Sequence, residues 1–189
     1  MKKLILIALV LVSTQSFSQS LLQKFEFGLK GGVNVSNFTN ANFPTDPLIG
    51  FNAGATVAFK FTDNFMVQED FLFSTGGAKI KGGKLGTQDL KLSYFSVPIV
   101  LKYRTNSGFY AEAGAQAAFK VKEDVGGLTD IKFAKKYDVG AVGGIGYQSK
   151  IGLGIGARYV YGIQKVFDSN TLVNDFKNNT IQANIFYVF

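Results

Sequence analysis

The sequence predicts an all-β chain: an eight-stranded antiparallel up-and-down transmembrane β-barrel. Three observations carry this reading. Eight stretches alternate apolar and polar residues with a period of two, the spacing at which side chains leave opposite faces of a strand. The connections between them alternate long and short in chain order. The aromatics of the apolar face gather at the strand ends, with aliphatic residues between them.

Strand one, about 25–36, sets Phe25, Phe27, Leu29, Val33 and Val35 against Glu26, Lys30, Asn34 and Ser36. Strand two, about 51–61, sets Phe51, Ala53, Ala55, Val57, Phe59 and Phe61 against Asn52, Thr56 and Lys60. Strand three, about 65–75, sets Val67, Phe71 and Phe73 against Gln68, Asp70 and Ser74. Strand four, about 92–103, sets Phe95, Val97, Ile99, Leu101 and Tyr103 against Ser96, Pro98 and Lys102. Strand five, about 109–119, places Phe109 and Phe119 around a run of alternate alanines, against Tyr110, Glu112 and Gln116.

Strand six, about 137–147, sets Val139, Ala141, Ile145 and Tyr147 against Asp138 and three glycines. Strand seven, about 151–161, sets Ile151, Leu153, Ile155, Ala157, Tyr159 and Tyr161 against three glycines and Arg158. Strand eight, about 180–189, sets Ile181, Ala183, Ile185, Tyr187 and Phe189 against Thr180, Gln182 and Asn184. Each is about eleven residues, the length a tilted strand needs to cross a bilayer. The short connections are 62–64, 104–108 and 148–150; the long ones are 37–50, 76–91, 120–136 and 162–179. Short periplasmic turns and longer external loops are the pattern of outer-membrane barrels.

A soluble barrel also alternates, but buries its apolar face inward. The aromatic positions favour the membrane. Phe25, Phe61, Tyr103, Phe109, Tyr147, Tyr187 and Phe189 fall at the short-turn end. Phe51, Phe73, Phe95, Phe119, Tyr159 and Tyr161 fall toward the long loops. Two aromatic girdles around an aliphatic band are what two membrane–water interfaces select. The opposite face carries Glu26, Lys30, Lys60, Asp70, Lys102, Glu112, Asp138 and Arg158. A narrow lumen holds such a set when the charges pair. The expectation is a structural network in which Arg158 pairs with Asp138 or Asp70. The lumen glycines leave room for Arg158 and Tyr110. Glu69 stands against the pattern on the lipid side of strand three. It lies near an interface, or a bulge shifts the register.

Composition excludes much else. The chain has 189 residues, 47% hydrophobic and 17% charged, and no Cys, His or Trp. Without Cys and His there is no disulfide, no thiolate zinc site and no histidine base. Asp70 and Glu112 are the remaining candidates for carboxylate chemistry, and charge pairing already explains them; no catalytic, metal or cofactor site is expected. Gly82-Gly83-Lys84 is followed by Leu85, and Ala78 stands where a P-loop needs its first glycine.

Lys2 and Lys3 followed by the apolar run 4–12 and Ser16 and Ser18 read as a secretory leader over 1–18, with the barrel domain over 19–189. A nine-residue run is short for a membrane anchor. The chain has 20 basic and 13 acidic residues, and losing the two leader lysines leaves +5. That modest, dispersed excess does not argue for nucleic acid. Lys79, Lys81 and Lys84 fall in the second long loop. They read as contacts to lipopolysaccharide phosphates or an acidic partner, or as a solvated loop.

The segments Gly28-Leu29-Lys30-Gly31-Gly32-Val33-Asn34, Val67-Gln68-Glu69-Asp70-Phe71-Leu72-Phe73-Ser74 and Tyr94 to Tyr103 (YFSVPIVLKY), with Tyr137-Asp138-Val139-Gly140 and Arg158-Tyr159, resemble the PorT-like outer-membrane β-barrel family of Gram-negative bacteria. The resemblance spans nearly all of the chain after the leader. It implies the cell outer membrane, contact with its lipid and lipopolysaccharide, and assembly by the barrel-assembly machinery, with Phe189 as the terminal aromatic that machinery reads. The family takes its name from a component linked to type IX secretion, and a place in an envelope protein complex is one role the resemblance leaves open. Ser96 stands where the family usually has Glu, and Glu69-Asp70 where it has Pro-Glu. The functions left open are a structural or surface-interaction role, a narrow pore, and a soluble periplasmic ligand-binding barrel.

Overall fold

The computed structural model describes residues 22–39, 45–80, 88–125, 136–163 and 177–189. The expected leader, Lys81 and Lys84 lie outside them. The chain forms β1 (Phe25–Thr39), β2 (Thr45–Lys60), β3 (Phe65–Ile80), β4 (Gln88–Arg104), β5 (Phe109–Val125), β6 (Tyr137–Gln148), β7 (Leu153–Gly162) and β8 (Lys177–Val188). Each strand pairs antiparallel with its neighbours in sequence, and β1 pairs with β8 to close the barrel.

The register fixes the barrel's shape. Cross-strand partners lead from Phe65 through Tyr103, Ala111, Ile145, Ala157, Ala183 and Val33 to Phe51. The Phe51 amide then donates to the Thr75 hydroxyl on β3. One circuit thus climbs ten residues along β3, the stagger that tilts eight closed strands by about 35–45°.

Alternation sorts the side chains as expected. Phe27, Leu29, Ile99, Ile145, Ile155 and Ile185 all point outward and are exposed, whereas Lys30, Asp70, Lys102, Glu112 and Arg158 are buried in the lumen. The lumen face is less uniformly polar than the sequence reading had it. Met66, Leu72, Val100, Val142 and Val160 are also buried there. A lumen this narrow must be filled by side chains, and apolar ones fill it as well as polar ones.

The strands overrun their expected ends on the long-loop side: β3 reaches Ile80 and β5 reaches Val125. Beyond the bilayer neither face has to be apolar, so hydrogen-bonded pairing continues after the alternation fades. At the opposite end β7 starts later than expected. The Gly152 amide donates to the Ser149 carbonyl at 3.1 Å, closing a turn in which Gly152 has φ 88°. Glycine adopts that left-handed backbone without a steric cost.

Neither explanation for Glu69 holds. The β3 register is unchanged on both sides of it, and the irregularities fall elsewhere, between Pro47 and Asn52 and between Ser93 and Tyr94. Glu69 is two outward positions from Phe65 and two from Phe73, so it lies midway between the girdles, not at an interface.

Candidate functional site in the barrel lumen

The lumen charges are delivered by β1, β3, β4, β5 and β7, each strand pointing its even-numbered residues inward. Asp70 is the hub. Its Oδ2 accepts hydrogen bonds from Lys30 Nζ at 2.7 Å and Arg158 Nη1 at 2.8 Å. Its Oδ1 accepts from Gln68 Nε2 at 2.8 Å. Arg158 also donates from Nε to Glu112 Oε1 at 2.6 Å. Asp70 and Arg158 are 1% and 3% exposed, so water screens this attraction little.

Lys102 takes a different role from the expected ion pair. Its ammonium donates to Gln68 Oε1 at 3.1 Å and sits 3.9 Å from the Tyr110 ring centroid. Phe186 lies 5.0 Å from the same ammonium. Ring faces attract a desolvated cation and take the place of a carboxylate. Glycines make room for these rings: a Cβ on Gly156 or Gly146 would run into the Tyr110 phenol.

A second cluster closes the short-turn mouth. Arg104 grips Glu26 with both terminal nitrogens, Nη2 to Oε1 at 2.7 Å and Nη1 to Oε2 at 3.0 Å. Its Nη1 also donates to Gln148 Oε1 at 2.7 Å, and Lys60 Nζ lies 3.2 Å from Glu26 Oε1. Sequence reasoning placed Arg104 in a turn and so missed it. The inward parity of Lys102 carried one residue pair further would have found it. Gln148 was placed in a turn like Arg104, and Gln68, though on the inward face, was not included in the network because a neutral amide gives no charge signal.

Asp138 stands apart. It lines a chamber of about 30 Å³ on the long-loop side with Ser96, Gln116 and Gln182. That is room for about one water molecule. Among the described residues it makes no ion pair, and Arg158 is not its partner. Nearby, Asn34 Nδ2 donates to Ser74 Oγ at 2.9 Å and to the Thr75 and Phe51 carbonyls, while its Oδ1 accepts from Asn52. The site therefore has three tiers: an amide and hydroxyl tier, a charged middle, and an Arg–Glu clamp at the mouth. The two acids considered for chemistry, Asp70 and Glu112, both accept from Arg158.

Around this lumen, Phe61, Tyr103, Phe109, Tyr147, Tyr187 and Phe189 point outward and exposed at the short-turn end. Phe25, half-buried there, packs against Phe59 with ring centroids 5.1 Å apart. The outer membrane protein beta-barrel domain family matches residues 15–168, most of the chain. The chain belongs to that family. No curated protein matches it. Among solved structures, Neisserial surface protein A is similar over 86% of this chain and 97% of its own, with TM-score 0.58 and 16% identity. OprG of Pseudomonas aeruginosa covers 87% and 95%, with TM-score 0.53 and 15% identity. Ail, the attachment invasion locus protein of Yersinia pestis, covers 88% and 99%, with TM-score 0.52 and 17% identity. At such identities the likeness is one of fold. As a member of this outer membrane barrel family, the protein resides in the outer membrane of a Gram-negative bacterium. The soluble periplasmic reading is thereby overturned, its apolar face being turned to lipid instead of a ligand.

Proposed function

We propose that this barrel is a sealed, non-catalytic anchor that displays its four long connections at the cell surface. One observation carries the proposal. The Lys30–Asp70–Arg158–Glu112 chain of hydrogen bonds crosses the lumen at mid-depth, joining β1, β3, β7 and β5. An ion entering there would have to break contacts between charges that have already lost their water. The same network is a structural device, holding opposite walls of the barrel together. Both of its acids are held by Arg158, which leaves neither placed as a free base.

Single-channel recording in planar bilayers tests the proposal. The sealed barrel gives no steady conductance; steady single-channel steps would favour the narrow-pore reading and end this one.

The resemblance of the strand motifs to PorT-like barrels supports a second reading, a place in an envelope complex, and the link to type IX secretion belongs to that reading. Crosslinking of the intact protein in its own envelope tests it. Phe189 is exposed, and its amide donates to the Phe27 carbonyl at 2.8 Å, carrying the β1–β8 closure past the end of β8.

A further inference from the structure

Between the two aromatic girdles the outward wall is apolar at every described position except Glu69. The residues around it on the same face are Ala55 and Val57 of β2, Val67 and Phe71 of β3, and Ile99 of β4. None can ion-pair or hydrogen-bond through its side chain. Among the described residues the Glu69 carboxyl has no partner at all. Lipid chains at that depth offer none either, and an unmatched polar group in hydrocarbon is costly.

We infer that Glu69 marks a self-association face, where a second copy of this chain packs barrel to barrel and the two Glu69 carboxyls meet. Three features of the wall favour a second copy over another occupant. First, the described outward wall carries no cation between the girdles, so the group is not built to pair with charge on its own surface. Second, two carboxyl groups bridged by a proton are self-complementary, one donating and the other accepting, which two ammonium or two guanidinium groups could not be. Third, a two-fold axis along the membrane normal brings each residue near that axis to its own counterpart at the same depth. A second copy therefore delivers the matching group at the depth where it is needed. Val57 and Ile99, the cross-strand partners of Glu69, are aliphatic, so no ring stands directly beside the carboxyl on either neighbouring strand.

The chain has no cysteine, so single cysteines at Ala55 or Ile99 report on the contact directly. The experiment is oxidative crosslinking of Ala55→Cys and Ile99→Cys in phosphatidylcholine vesicles at low protein density, read as dimer on a denaturing gel. Subunit counting by photobleaching in the same vesicles gives the oligomeric state without oxidation. The expected result is dimer with Glu69 and with Glu69→Gln, whose amide also both donates and accepts, and at least a tenfold loss of dimer with Glu69→Leu. A cysteine at Ile185, an outward position on β8, serves as the control and should not crosslink. Because Glu69 points away from the lumen, all variants should fold, which the heat-dependent gel shift of an intact barrel verifies. The inference is overturned if the Glu69 chain is monomeric in vesicles, or if Glu69→Leu dimerises as well as the parent. A monomer of the parent that acquires a partner only in native envelope would assign the face to a different protein and also overturn it.

Discussion

Asp70 of β3 and Arg158 of β7 meet at the centre of the lumen, Oδ2 to Nη1 at 2.8 Å, across 88 residues of sequence. The two strands share no backbone ladder, lying four places apart around the barrel. The pair therefore links opposite walls directly across the lumen. Removing the guanidinium by Arg158→Ala leaves Glu112 buried without its cation and Asp70 with Lys30 as its one cation beside the Gln68 amide. The expected loss is about 3–5 kcal/mol. Urea titration of the barrel folded in lipid vesicles measures it. Arg158→Lys should lose less but still weaken the fold, because a single ammonium cannot reproduce the fork that reaches Asp70 and Glu112 together. Unchanged midpoints in both variants would remove the structural role of the network.

Tyr110 and Gly156 should behave as a coupled pair. A methyl group at Gly156 meets the Tyr110 hydroxyl oxygen first. Gly156→Ala is expected to cost about 1–3 kcal/mol through overpacking. Tyr110→Phe removes the atom that is struck, so adding it to Gly156→Ala should recover part of that loss. A double-mutant cycle reads the coupling directly; strictly additive effects would show that the glycine is not there to seat the phenol.

The cost of a charge on the outer wall should depend on depth. Ile155 lies between the girdles, while Phe109 belongs to the short-turn ring and stacks edge-on against Tyr147 with centroids 5.2 Å apart. Ile155→Arg is expected to destabilise by about 2–4 kcal/mol and Phe109→Arg by about 0–1 kcal/mol from the charge itself. Vesicle-based unfolding of both variants provides the comparison, and equal costs would contradict the assigned membrane position.

The limits of what the sequence discloses follow from the same physics. Strand number, closure and the outward turn of Phe27, Ala115 and Ile155 were legible, since the bilayer demands an apolar residue at every second position. The outer ends of β3 and β5 were not, since that demand stops at the headgroups. Arg158 was legible as a paired lumen cation, but its choice among acids was not. Asp70 and Asp138 are both inward, and the stagger of nonadjacent strands decides which of them lies at Arg158's height. The Lys102 seat on Tyr110 and Phe186 was hidden for a similar reason, the three residues coming from β4, β5 and β8. Glu69 was conspicuous in the sequence, yet its depth emerged only from an unbroken register on either side of Pro98, whose missing amide interrupts the pairing without shifting it.

The chain's lack of tryptophan offers the most direct measurement of all, a lone fluorophore in place of Ile155. With Ile155→Trp in vesicles of phosphatidylcholine brominated at mid-chain, emission should be strongly quenched by the lipid and barely touched by aqueous iodide. Quenching by iodide, with none from the brominated chains, would mean that the greasy wall of β7 does not face the bilayer.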